Sequence, residues 1–212
     1  MQSVTEIFAA LNVSRETEAL LQAFADRVGR WNPKINLVSQ GSLPDIMRRH
    51  IADSAQLFDI PNRLVNHWVD LGSGGGFPGV VLAILGADSG RIEKMSLLES
   101  DARKCVFLRE AVRTLSLKVD VIHDRIEKVP PLAADVVSAR ALAPLPVLLG
   151  HAYRHLAADG IAIFPKGARY QDELSQAECE WFFDAEARQS LTDPEARILV
   201  LRSISPKPAG RQ

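Results

Sequence analysis

The chain has 212 residues, a length that suits one domain with some decoration. Apolar residues make up 47% of it and none of their runs approaches the roughly 18 residues of a membrane span, which predicts a soluble globular protein. The formal net charge of −1 excludes a chain coated in basic groups, but not local basic clusters that bind nucleic acid. Cys105 and Cys179 lie far apart without metal-ligand company, and the N-terminal stretch lacks the basic lead and apolar core of a secretion signal. The expected setting is a reducing cytoplasm, with no membrane and no metal.

Residues 1–60 carry helical signals and no strand signal. Ser3 and Glu6 have capping-box spacing ahead of Ile7, Phe8 and Leu11. Ser14 is placed to cap a second helix in which Leu20, Phe24, Val28 and Trp31 recur at helical spacing and should face one core. Asn32-Pro33 should end it. A loop with Asn36 and Gly41 follows, then a third helix opened by Ser42 and Pro44. This helix carries Arg48, Arg49, His50, Asp53 and Ser54. The cluster reads either as a solvated face or, because Asp53 and Ser54 fall one turn beyond Arg49 and His50, as a clamp for a nucleic-acid phosphate or base.

From residue 65 the pattern becomes alternating strands and helices. Strands are expected at Val65–Leu71, Met95–Glu99, Val119–His123, Asp135–Ala139 and Gly160–Phe164, with helices near 77–87, 101–115, 144–158 and 169–181. Such alternation predicts a parallel sheet with helices on both faces. Cys105, Leu108, Val112 and Leu115 give the second of these helices a buried stripe. Two further strand-like runs, Phe182–Arg188 and Arg197–Ile204, are joined through Thr192-Asp193-Pro194, which suits an antiparallel pair. The division expected is a helical extension at 1–60 packed on an α/β domain at 61–205, with a frayed end at 206–212.

The stretch Asp70-Leu-Gly72-Ser-Gly74-Gly75-Gly76-Phe77-Pro78-Gly79 begins at the end of the first strand, and the loop from Gly72 to Gly79 holds five glycines in eight residues. Such a loop can turn sharply and bring backbone N–H groups against a ligand. Gly74-x-Gly76-x-x-Gly79 satisfies a dinucleotide fingerprint, and Glu99 lies twenty residues beyond Gly79, where an acid meets a ribose. The same letters give Asp70-x-Gly72-x-Gly74-x-Gly76, which resembles the first motif of S-adenosylmethionine-dependent methyltransferases. A cationic sulfonium would be attracted by Asp70, whereas a pyrophosphate would be repelled.

Glu99, at the tip of the second strand, borders the crevice where ligands bind in open α/β sheets; the bland reading is a helix cap shared with Ser100 and Asp101. Ile126, in the turn Asp124-Arg125-Ile126-Glu127 after the third strand, could pack on an adenine face. Arg140, after the fourth strand, needs a charged ligand or a carboxylate, with Asp70 or Asp135 as the structural candidates. Lys166, in Pro165-Lys166-Gly167, meets a phosphate or base edge or is a solvated loop lysine. His151 and His155 have half the spacing of a zinc site without a third ligand, so a surface or half-buried pair is the expectation.

Taken together, Trp31-Asn32, Asn36-Leu37, Arg49-His50-x-x-Asp53-Ser54, DLGSGGGFPG, Glu99, Arg125-Ile126-Glu127, SARALAPL and PKG fall in the order found in one family. The chain resembles the guanine-N7 methyltransferases of small-subunit ribosomal RNA, also called glucose-inhibited division protein B. The resemblance implies an α/β class I methyltransferase fold, a Rossmann-like sheet of about seven mostly parallel strands. It implies S-adenosylmethionine as cofactor and N7 of a guanine in the 530 loop of 16S ribosomal RNA, in the small subunit or its precursor, as target. Cofactor contacts fall on Gly72, Phe77, Ile126 with Glu127, and Arg140, beside Asp70, Gly74, Gly76 and Glu99 from the loop pattern. Arg49, His50, Asp53, Ser54 and Lys166 are the RNA-side candidates. Gly75 and Phe77 depart from the residues common in the family, and Ser138-Ala139-Arg140 departs from its usual Ser-Arg pair.

Guanine N7 carries a lone pair and no proton, so the reaction needs no general base, in keeping with the lack of a nucleophile–base pair or metal cluster in the sequence. The alternatives are a related methyltransferase acting on another RNA guanine and an NAD-dependent oxidoreductase. A third is a non-catalytic RNA-binding protein on the same scaffold. Hydride transfer would call for a Tyr–Lys pair or an active-site histidine, and neither of the two tyrosines is so placed.

Overall fold

The computed structural model describes residues 1–208. Strands β1 (Val65–Leu71), β2 (Ile92–Glu99), β3 (Val119–His123), β4 (Ala134–Ala139), β5 (Leu156–Lys166), β6 (Trp181–Gln189) and β7 (Arg197–Pro206) form one sheet in the order β3-β2-β1-β4-β5-β7-β6. β1 to β5 are mutually parallel, and β7 lies antiparallel between β5 and β6. The strand order reverses between β1 and β4, which opens a crevice beyond their C-terminal ends.

Successive strand residues point to opposite faces, so each strand supplies two cores. Trp68, Leu97, Val136 and Ile163 pack beneath one set of helices, while Val69, Leu98, Val137 and Phe164 pack beneath the other. The first face is covered by α4 (Gly79–Ser89) and α5 (Ala102–Thr114), the second by α6 (Leu145–His155) and α7 (Tyr170–Glu180). Gly79 to Gly86 are buried along their whole length, so α4 needs cover on its outer side as well. That cover comes from α2 (Arg15–Ile35) and the chain around α3 (Asp53–Ala55), with α1 (Val4–Ala10) packed in turn on the residues just before α3. The N-terminal helices form a third layer over the most apolar helix.

The capping box of Ser3 and Glu6 and the Ser14 cap are present, and Cys105, Leu108, Val112 and Leu115 are buried as the spacing predicts. Three features differ from expectation in this third layer. Leu21, not Leu20, enters the core, and Leu20 is 37% exposed. α2 continues past Pro33 to Ile35, because the chain turns only at Asn36, in the left-handed region (φ 47°). The turn is held by Asn32 Oδ1, which accepts the N–H groups of Leu37 (2.7 Å) and Val38 (2.8 Å). The third helix is not regular either: a 3-10 turn spans Gln40–Asp45 and a π-helical turn spans Met47–Ala52 ahead of α3. Ile51, Ala52 and Ala55 are fully buried, and the wider turn keeps Arg48 and Arg49 on the outside.

At the other end, α6 stops at His155 instead of near 158, and β5 begins at Leu156. β7 runs through Pro206, and Lys207 N–H donates to Glu180 O (2.8 Å), so the expected fraying does not begin at 206; residues 209–212 lie outside the described residues. Among the described residues no helix is long and apolar enough to cross a membrane, and no cluster of three metal-binding side chains occurs.

Candidate active site

The glycine loop leaves β1 and runs into α4. Gly76 has φ +86°, and a Cβ there would lie 2.7 Å from Phe24 Cζ, so the loop is pressed against α2 at a point only glycine fits. At Gly79 a Cβ would lie 2.7 Å from Asp70 Oδ2 and collide with Leu97. The bare backbone lets Gly79 N–H donate to Asp70 Oδ2 (3.2 Å), while Ser138 Oγ donates to Asp70 Oδ1 (2.7 Å) and itself accepts Trp68 Nε1–H (3.0 Å). Asp70 is completely buried. Asp70 as a direct cofactor contact is corrected on this ground: its carboxylate is turned inward, tying the loop to β4 and the start of α4.

Burial pushes the Asp70 carboxyl up to about 6 from 3.8, against the hydrogen bonds of Ser138 and Gly79. The folded protein thus binds this proton more tightly than the unfolded chain. Its contribution to stability is complete below 3.8 and is lost as pH rises through about 6. Asp70→Asn removes the titration, so its stability relative to the parent should rise by about 2 kcal/mol between about pH 4 and pH 7. Urea midpoints at the two pH values measure this, and a constant difference would contradict it.

Glu99, 8% exposed, bridges two backbone segments: Oε2 accepts Gly74 N–H (2.8 Å) and Oε1 accepts Asp101 N–H (2.8 Å). It is not the cap of α5; Asp101 is, accepting from Arg103 and Lys104. A carboxylate has about four acceptor positions, so each oxygen retains one for a hydroxyl such as those of a ribose. Ile126 is half-buried against the α6 side of the core and Glu127 is exposed. The residues present fit S-adenosylmethionine: a glycine cradle, an acid with free lone pairs at the β2 tip, and a half-buried apolar side chain in the turn after β3.

Phe77 is 4% exposed, its ring packed against Phe24 (5.3 Å between centroids), against His50 (5.0 Å) and under the Arg140 guanidinium (5.1 Å). Its side chain belongs to the loop's foundation, which leaves the backbone to meet a ligand. Arg140 is paired neither with Asp70 nor with Asp135. Nη1 donates to Asp53 Oδ2 (3.4 Å) and Arg49 O (3.2 Å), and Nη2 donates to His50 Nδ1 (2.8 Å). Asp135 instead accepts the N–H groups of Asn66 (2.6 Å) and His67 (3.1 Å).

Because Arg140 has only donors, His50 Nδ1 must accept, and its Nε2–H donates to Ser42 Oγ (2.8 Å). Burial, with the cations Arg140 and Arg49 adding to it, lowers the His50 pKa to about 4. The ring is neutral through the physiological range. Asp53 Oδ1 accepts Thr192 Oγ1–H (2.7 Å) and Gln56 Nε2–H (2.9 Å), linking Arg140 to the turn between β6 and β7. Ser54 is 1% exposed and donates to His50 O (2.6 Å). His50, Asp53 and Ser54 therefore form the seat of Arg140 and do not project with Arg49 as a single clamp.

Beside this seat lies a cleft of about 1040 Å³, lined among others by Arg48, Arg49, Arg140, Leu142, Lys166 and Arg197. Arg49 is exposed, and its side chain has no hydrogen-bond or ion-pair partner among the described residues. Lys166 is not a solvated loop lysine: its ammonium donates to Glu173 Oε2 (2.7 Å) and Ala143 O (3.0 Å), and its side chain is 9% exposed. Leu142 joins cleft and loop, since a Cβ on Gly72 would lie 2.5 Å from Leu142 Cδ1. Sequence reasoning missed Leu142, Ser42, Gln56 and Thr192 as parts of the site. Their part depends on which loops meet in space, and no spacing in the chain signals it.

The strand order, with a glycine loop and an acid at adjacent strand tips, defines the class I S-adenosylmethionine-dependent methyltransferases. The fold is similar to that of a SAM-dependent methyltransferase from Aquifex aeolicus, with a TM-score of 0.56, 14% identity, and coverage of 74% of this chain and 92% of that one. The sequence profile described as GidB, rRNA small subunit methyltransferase G, matches residues 17–199. The chain belongs to this family of methyltransferases, whose methyl donor is S-adenosylmethionine. Among its relatives, a protein of Ruegeria pomeroyi is 50% identical over 196 residues, covering 92% of this chain and 95% of that one. One of Cereibacter sphaeroides is 47% identical over 200 residues, with 94% and 96% coverage. Both are named ribosomal RNA small subunit methyltransferase G.

Proposed function

We propose that this protein transfers the methyl group of S-adenosylmethionine to N7 of a guanine in the 530 loop of 16S ribosomal RNA, acting in the cytoplasm on the small subunit or its precursor. The observation that carries the reading is the meeting of two spaces at one sheet edge: the glycine loop adjoins, across Leu142 and Arg140, a cleft whose wall sets Arg48, Arg49, Arg140, Lys166, Arg169 and Arg197 among Asp45, Asp53, Asp172, Glu173 and Asp193. Family membership supplies the substrate class.

When bound, S-adenosylmethionine supplies an electrophilic methyl group on a sulfonium. Glu99 holds ribose hydroxyls, the loop from Gly72 to Gly76 receives the amino-acid end, and the Ile126–Glu127 turn meets the adenine. Arg140, fixed by Asp53 and His50, stands between donor and acceptor spaces and orients the incoming base or the donor's carboxylate. An N7 lone pair needs no base, so these residues act by alignment and by keeping water out. N7 is read from the major-groove edge, which in RNA means an unpaired or looped guanine. The helical extension at 1–60 contributes the RNA-facing wall through Arg48 and Arg49, set on the methyltransferase domain at 61–205.

Arg49→Ala tests the RNA side. It should lower kcat/KM for ribosomal RNA about tenfold and reduce the slope of log affinity against log salt by about one, as loss of one phosphate contact does. Affinity for S-adenosylmethionine should change less than about twofold. Equal losses in both would remove Arg49 from the RNA interface. Titration with NADH, expected to show no binding, separates this reading from an oxidoreductase.

A further inference from the structure

We propose that His155 and Arg154, the last two residues of α6, are positioning residues that set the Ile126–Glu127 turn for the cofactor's adenine. This rests on the reading of that turn as a cofactor contact. His155 was expected at the surface or half-buried, yet it is 0% exposed. Its Nε2 lies 3.1 Å from Ile126 O, which can only accept, so Nε2 carries the hydrogen. Its Nδ1 is buried with no partner among the described residues. Burial lowers its pKa, and the ring stays neutral. Core packing does not account for such a side chain: a leucine would fill the space without burying a bare acceptor. What the imidazole adds is one donor aimed at one carbonyl.

Arg154 grips the other end of the same turn, with Nε (3.2 Å) and Nη2 (2.9 Å) both donating to Val129 O. Inside the turn, Arg125 O accepts the N–H groups of Lys128 (2.9 Å) and Val129 (3.3 Å). Glu127 N–H has no acceptor among the described residues. The Ile126–Glu127 peptide is trans, so its carbonyl and N–H point in opposite directions. With the carbonyl drawn toward α6 by His155, the Glu127 N–H is directed away from α6, as a free donor matched to a ring nitrogen of adenine. α6 thus holds the turn from below: the Ile126 side chain packs on the α6 side of the core and Glu127 Oε1 lies 3.9 Å from His151 Nε2, so the Glu127 N–H is the group left facing away from α6.

Calorimetric titration of the full chain with S-adenosylmethionine and S-adenosylhomocysteine tests this. His155→Leu, which keeps the volume and removes the donor, should weaken both ligands about tenfold while kcat at saturating donor stays within about twofold. His155→Gln, whose amide can donate to Ile126 O, should recover affinity to within about threefold of the parent. Arg154→Met, a milder change at the outer end of the turn, should weaken binding about threefold. In the unaltered protein, hydrogen exchange at Glu127 should slow on binding S-adenosylhomocysteine, a readout that does not depend on either variant folding. Unchanged affinity in folded His155→Leu, no recovery in His155→Gln, or unaltered exchange at Glu127 overturns the inference. If the parent protein binds neither ligand, the cofactor reading itself falls and takes this inference with it.

Discussion

Glu99→Ala should weaken S-adenosylmethionine binding by about a hundredfold or more, equivalent to about 3 kcal/mol. Two losses combine. On the proposed reading the ribose hydroxyls lose their acceptors, and the N–H groups of Gly74 and Asp101 lose the carboxylate that joins the glycine loop to the start of α5. Each unsatisfied donor costs about 1–3 kcal/mol where it stays away from water, so the loop should also become mobile before any ligand arrives. Glu99→Gln separates the two effects. Its amide oxygen can serve one N–H, but its amino group then faces the other N–H, so affinity should fall between parent and alanine variant. Calorimetry measures both, and an alanine variant within about threefold of the parent would contradict the role.

Arg140→Lys should lower kcat/KM for RNA methylation by about a hundredfold, nearly as much as Arg140→Met. The guanidinium bonds Asp53, His50 and Arg49 O at once while lying over the Phe77 ring, a fork that a single ammonium cannot reproduce. The methionine variant leaves Asp53 without its cation. Because both side chains are nearly one-fifth exposed, solvent softens that loss to about 2 kcal/mol of stability. A double-mutant cycle with Asp53→Asn isolates the pair, and it should show a coupling of about 1 kcal/mol or more. Lysine retaining activity within about fivefold would mean that charge alone, and not the seat built by residues 42–53, is what the reaction uses.

Much of this architecture was legible because it repeats a local rule. β1 and β3 lie within the bounds expected from the succession of strand and helix segments, and α5 buries the side chains that its spacing selects. The glycine loop was readable for the same reason: positive φ and close approach leave glycine as the residue that fits. The seat of Arg140 was not readable. It depends on a π-helical turn with no periodic signature and on contacts between residues about ninety apart, such as Arg140 with His50. Asp135 and Asp70 were reasonable partners by position, but backbone and hydroxyl donors within the sheet already occupy them. Leu20 shows a smaller version of the same limit, since one residue of helix rotation decides whether it or Leu21 is buried. His155 was misjudged because its partner is a carbonyl oxygen, which any residue type supplies and no sequence pattern marks.

Mass mapping of small-subunit ribosomal RNA from cells with and without the gene tests the account most directly, with the deletion complemented by the parent protein and by the Glu99→Ala variant. A single 7-methylguanosine in the 530 loop should vanish on deletion, return with the parent protein and stay absent with the variant. An unchanged 530 loop, or a methyl group lost from a different atom or a different RNA, would contradict it.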